Sequence, residues 1–156
     1  MEKRIQIASA VLMLMTVLTG CGAAKFENDY IEFAHPSNFK HSLTDSGADS
    51  FERNETAYFI VSLRNKTEAD LTVQELAEFV GSSFAEAFGT AVLSIDYSTV
   101  DGTPSALITY SAPSYYSSML VIDYSGSEYI VFSFSLSRYQ DGPQIMQNII
   151  DSIKLK

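Results

Sequence analysis

The chain has no tryptophan, two histidines and a single cysteine among its 156 residues. One thiol forms no internal disulfide, and a cysteine-built metal site is excluded. Stability has to come from burying apolar side chains, for which ten Phe and nine Tyr provide the area. Cations are scarce: 10 Lys and Arg stand against 19 Asp and Glu. Without a basic patch, an acidic chain is repelled by phosphates, which argues against nucleic-acid binding. No apolar run reaches the ~20 residues that cross ~30 Å of hydrocarbon. A Gly-x-Ser-x-Gly elbow, His-Glu-x-x-His and a phosphate loop are all missing. Both histidines fall early in the chain, so no nucleophile–base pair is legible. The expectation is a protein that is not an enzyme and carries no cofactor.

What is present begins at the N terminus. Lys3 and Arg4 precede an apolar stretch, residues 5–18, interrupted only by Gln6, Ser9 and Thr16. A basic start, a short apolar run and small residues at its end make a secretory signal. Leu18-Thr19-Gly20-Cys21 resembles the lipobox of bacterial lipoprotein precursors. That resemblance implies cleavage before Cys21 and lipid on its sulfur, with fatty acyl chains such as palmitate. Residues 1–20 are then a signal peptide, 21–29 a lipidated tether and 30–156 the globular domain. The expected location is the cell membrane, lipid-anchored and facing outside the cytoplasm. Two other readings of the same residues are a plain signal peptide removed with its cysteine, and a retained signal anchor. Cleavage of 20 residues from 156 leaves 136, one domain in size. Losing Glu2, Lys3 and Arg4 leaves 18 acidic and 8 basic residues, net −10.

Along the domain, residues 30–34, 39–43 and 57–63 read as strands. Asp45 to Ser50 reads as a polar turn. Thr72-Val-Gln-Glu75 has capping-box spacing. Leu76, Val80, Phe84 and Phe88 follow at intervals of four, a helical stripe that Gly89 stops. Gly81 in the middle predicts a kink. Four strands follow, at 91–100, 103–111, 115–124 and 128–137, the first two joined by the hairpin pair Asp101-Gly102. Pro143 opens a last helix whose apolar face is Ile145, Met146, Ile149, Ile150 and Ile153. The sum is an α+β fold: an antiparallel β-sheet of about six strands with two helices packed on it.

Three stretches then carry a second resemblance. Phe33-Ala-His-Pro36-Ser-Asn-Phe39, Val100-Asp-Gly-Thr-Pro-Ser-Ala106 and Ile149-Ile-Asp-Ser-Ile153 are similar to the opening, middle and closing helix of PsbP-like α/β/α sandwich domains. The usual tryptophan of that opening is Phe39 here. The resemblance implies a non-enzymatic protein that binds or assists other proteins, and it brings no catalytic residues.

Three sets of residues are candidates for binding. Ser94, Asp96, Ser98, Ser133 and Ser135 alternate with apolar neighbours and form either a wet sheet face or a hydroxyl-lined groove. Thr109, Ser111 and Asp123 join them in some registers. Tyr110, Tyr115, Tyr116 and Tyr124, with Tyr129 and Tyr139, cluster at the ends of the last strands and suit a partner-binding edge. His35 and His41 with Asp45 or Asp49 are the one conceivable cation set, and they lack the spacing of a known metal loop. The leading expectation is a protein-binding accessory module of the cell envelope. The alternative is a small-ligand or metal-binding lipoprotein accessory to transport.

Overall fold

A computed structural model describes residues 22–54, 57–68, 70–113, 115–137 and 141–156. Cys21 and the signal segment lie outside the described residues, as do Ser114 and Tyr139. Among the described residues, ten strands and two helices follow one another as β1 (Ala23–Glu27), β2 (Ile31–Pro36), β3 (Lys40–Leu43), β4 (Asp49–Asn54), β5 (Ala57–Asn65), α1 (Val73–Phe88), β6 (Val92–Val100), β7 (Thr103–Tyr110), β8 (Tyr115–Ile122), β9 (Glu128–Ser137), α2 (Gly142–Ser152) and β10 (Lys154–Leu155). They build a seven-stranded sheet in the order β3-β4-β5-β9-β8-β7-β6 and a three-stranded sheet in the order β1-β2-β10. Every pairing is antiparallel. The α+β expectation with two packed helices holds, while the strands are more numerous than the six expected.

Local signals produced the elements they promised. Thr72 and Glu75 close the capping box, and Gly89 ends α1 in the left-handed region at φ 62°. Asp101 and Gly102 both take positive φ and turn β6 into β7. Gly81 does not interrupt α1, which continues through it for 16 residues. Gly81 instead lies buried against the sheet, where an added methyl would sit 3.5 Å from Ile108.

Each face of the large sheet has its own core. Leu76 and Ala77 of α1 pack on Ala106, Ile108, Tyr110, Met119 and Val121. On the opposite face, Ile145, Met146 and Ile149 of α2, with Ile31 and Phe33 of the small sheet, close over Phe51, Phe59, Leu120 and Phe132. The two covers are offset. Helix α1 sits over β6, β7 and β8, and its core reaches Val131 of β9, so β4, β5 and the 133–135 end of β9 are open on that face.

One boundary needs correction. Residues 22–29, read from the sequence as a tether, belong to the fold. The Ser37 amide donates to the Gly22 carbonyl at 2.7 Å. Ala23 to Glu27 pair along β2, from Ala23–Pro36 to Glu27–Glu32. Lys25 bridges to Glu32 across the pair at 2.9 Å, and Lys156 reaches Glu27 at 2.7 Å.

Candidate functional site

The offset of the covers makes a groove. At its C-terminal end α1 overhangs the sheet and leaves a space of about 570 Å³ beside it. The floor consists of two cross-strand rows. One runs Tyr58, Ser135, Ser117, and the next runs Ile60, Ser133, Met119, on β5, β9 and β8. Phe84 and Phe88 form the helix wall, with rings 4.5 Å apart. Thr90, Ala112, Pro113 and Tyr115 complete the rim. Among the described residues, no charged one lines it. The size and the mixture of aromatic walls with a few hydroxyls are those of a binding site.

The hydroxyls of Ser117, Ser133, Ser135 and Tyr58 have no hydrogen-bond partner among the described residues. At the end of the first row lies Tyr110, opposite Ser117. Its ring packs 4.6 Å from that of Phe84, and its hydroxyl is buried without a partner among the described residues. Burial pushes its pKa up to about 12, so it stays a neutral phenol.

A larger depression, about 780 Å³, lies along β1. Its charged groups already have partners: Lys25 and Lys154 both face Glu32, at 2.9 and 3.8 Å, Asp101 accepts from the Leu155 amide and Asp151 from Gln147. The groove under α1 is therefore the better candidate, because its polar groups are open.

The structure divides the residues singled out from the sequence. Ser133 and Ser135 are in the groove, but Ser94, Asp96 and Ser98 are on the opposite face of the sheet. Register decides this: Ile95 pairs with Ile108, Ile108 with Met119 and Met119 with Ser133, which puts Ser133 on the face of Ile95. Ser94, Asp96 and Ser98 stand exposed at the β6 edge, and Ser94 donates to Asp96 at 3.1 Å. The polar side of each strand is whichever side its face leaves uncovered. Thr109 pairs with Ser94 on that second face, and Asp123 is committed to Lys66 at 2.7 Å.

The tyrosines do not form one edge either. Tyr115 is exposed at the groove and Tyr110 is buried below it. Tyr116 points to the other face and packs on the main core. Tyr124 lies at the far end of the sheet and donates to the Lys156 carbonyl at 2.7 Å. Sequence reasoning missed Tyr58, Phe84 and Phe88 as groove residues, because only the place where the helix stops exposes them.

The histidines part company. His41 Nε2 lies 2.8 Å from Asp49, whose other oxygen accepts from Asn28 at 3.0 Å. His35 is buried and its Nδ1 lies 2.9 Å from the Pro36 carbonyl. Among the described residues no three of His, Cys, Asp and Glu come together as a cation site. Burial lowers the His35 pKa from 6.5, against the pull of the Pro36 carbonyl. The unfolded chain then binds the extra proton first, so the stability due to neutral His35 is complete above pH ~6.5 and erodes below it. The melting temperature should fall from about pH 7 to about pH 5, and His35→Gln should flatten that slope. An equal slope in the variant would assign the effect elsewhere.

Comparison with known proteins bears on the fold. The chain is similar to the solution structure of cyanobacterial PsbP (CyanoP) from Synechocystis, with a TM-score of 0.67, 13% identity, and coverage of 90% of this chain and 99% of that one. It is also similar to a crystal structure of a protein from Bacteroides thetaiotaomicron, with a TM-score of 0.54 and 15% identity, covering 85% of this chain and 48% of that one. No family model and no curated protein matches the sequence. At these identities the likeness is one of architecture: the fold is PsbP-like.

Proposed function

We propose that this chain is an extracytoplasmic lipoprotein, anchored through Cys21, whose domain binds another protein of the cell envelope without catalysing a reaction. The observation that supports binding is a groove with no charged residue among its described lining, in a chain of formal net charge −9. Phe88, Tyr58 and Tyr115 stand exposed around it. Aromatic side chains offer large contact area with few rotors, and a wall without charges costs little to desolvate. A photo-crosslinking residue at Tyr115 should trap one envelope protein in cells, and Ser135→Glu should abolish the adduct by burying a charge. The same adduct from position 94, on the opposite face, would overturn the assignment of the groove.

Anchoring has its own test. One acyl chain holds a protein only marginally, and two or more hold it stably at ~0.8 kcal/mol per buried methylene. Cys21→Ala should shift the protein wholly out of the mature membrane form, into a soluble or unprocessed state. A wild-type chain that takes up no palmitate analogue would end the lipoprotein reading.

The open hydroxyls of Ser117, Ser133 and Ser135 favour a second reading, a small uncharged ligand held in the same groove. A rise in melting temperature with uncharged metabolites, unaccompanied by crosslinks, would select it.

A further inference from the structure

We propose that the end of the domain carrying the groove's rim rests on the bilayer that holds the anchor, an orientation that depends on the Cys21 anchor proposed above. The chain has no slack with which to choose another. Gly22 is already hydrogen-bonded to Ser37, and Ala23 is paired with Pro36. Consecutive Cα atoms are ~3.8 Å apart, so the lipid-bearing residue is one step from the folded body. The surface around Gly22 is thereby brought to the headgroups.

Topology says which surface that is. The Phe39 amide donates to the Pro36 carbonyl at 3.1 Å, a tight turn that delivers the chain directly to Lys40. Lys40 begins a row that crosses the whole large sheet: Lys40, Glu52, Tyr58, Ser135, Ser117, Tyr110, Val92. The anchor and the rim of the groove therefore share one end of the sheet.

That end has the chemistry of a membrane interface. Residues 88–93 and 111–113 carry no charge, and Phe88, Leu93, Tyr115 and Val92 are exposed there by 72, 62, 39 and 37%. Among the described residues, charged groups at this end mostly oppose one another: Arg53 meets Asp141 at 3.3 Å, and Lys40 faces Glu52 in register, with Glu86 left on the last turn of α1; Glu55 and Arg138, which follow β4 and β9 in the sequence, lie outside the described residues. The turns at the other end hold Asp45, Asp70 and Asp101, with Asp123 paired to Lys66. Exposed aromatic and aliphatic side chains suit the headgroup boundary, and the acidic end is turned away from anionic lipid. A partner in the groove would then be met at the membrane surface.

Two single-cysteine probes test the orientation, the Cys21 thiol being consumed by its lipid. Ser111→Cys is at the rim. Ser127→Cys lies beyond the other end of β8, ~27 Å away at ~3.4 Å per residue. Full-length protein from a lipoprotein-processing host is labelled with an environment-sensitive fluorophore. It is then reconstituted in phosphatidylethanolamine–phosphatidylglycerol vesicles containing doxyl-labelled lipid. Its intact mass reports lipidation separately. Quenching several-fold stronger at 111 than at 127 is expected. Lipid-modified protein quenched equally at both sites, or more at 127, would overturn the orientation and spare the anchor. A mass without lipid would remove the anchor and this proposal with it.

Discussion

Phe51→Ala should lower the melting temperature by roughly 10–20 °C, from a loss of about 3–5 kcal/mol. Phe51 is fully buried where the two sheets meet. It stacks on Phe59 at 4.6 Å with the planes 6° apart, and it meets Phe26 and Phe33 edge-on at 5.0 and 5.5 Å. His35 and His41 lie 4.9 Å away on either side. These rings hang from both sheets. A cavity between them closes only if the sheets shift against each other, and close-packed sheets resist that. Phe88→Ala is the matched control. It removes the same atoms from a position 72% exposed, where substitutions cost about 0.5 kcal/mol or less. Circular dichroism melts of the two variants decide the matter. Equal melting temperatures would mean that the aromatic seam is not what joins the sheets.

The parts of this fold legible in the sequence are those with a local cause. Thr72 and Glu75 lie three residues apart and cap each other. Asp101-Gly102 needs only its own backbone to turn. The strands that went unread have no such cause. Strand β1 has one large apolar residue, Phe26, and β4 has one, Phe51. Both exist because a neighbouring strand supplies hydrogen-bond partners, as β5 does for β4. Asp49 stays buried in β4 because His41 and Asn28 bond both its oxygens. Pattern alone makes such a residue part of a turn.

The candidate site was half legible, for a related reason. Alternation states which residues of one strand share a side. It does not relate the sides of different strands. Ser133 and Ser94 both alternate with apolar neighbours, yet they face opposite ways, because different helices cover β9 and β6. The tyrosines were grouped by sequence position, whereas β8 carries Tyr115 and Tyr116 to opposite faces and places Tyr124 beyond its other end. Even so, the order of elements was enough to reveal the PsbP-like arrangement, since that order depends on the helices and hairpins that local chemistry fixes.

Asp123→Ala should cost about 3–5 kcal/mol although Asp123 looks like one half of an ordinary ion pair. Its partner, Lys66, has a side chain only 2% exposed. The ammonium lies 2.7 Å from Asp123 and donates to the Leu71 carbonyl at 3.0 Å. Removing the carboxylate leaves a buried cation with one neutral acceptor, and desolvation of that cation dominates the loss. Surface pairs, by contrast, contribute about 0–1 kcal/mol. The pair also ties chain segments together. Lys66 starts the connection from β5 to α1, and Asp123 follows β8, where its amide donates to the Pro104 carbonyl at 3.0 Å. Asp123→Asn should cost less than Asp123→Ala, since an amide oxygen still accepts. Lys66→Met with Asp123→Leu should recover most of the stability, because the buried charge is gone. Urea titration of wild type, Lys66→Met, Asp123→Leu and the double variant completes the cycle and gives the coupling directly. An Asp123→Ala loss below ~1 kcal/mol would mean that Lys66 finds water when its partner leaves. Helix α1, and with it the wall of the groove, would then be held by apolar packing alone.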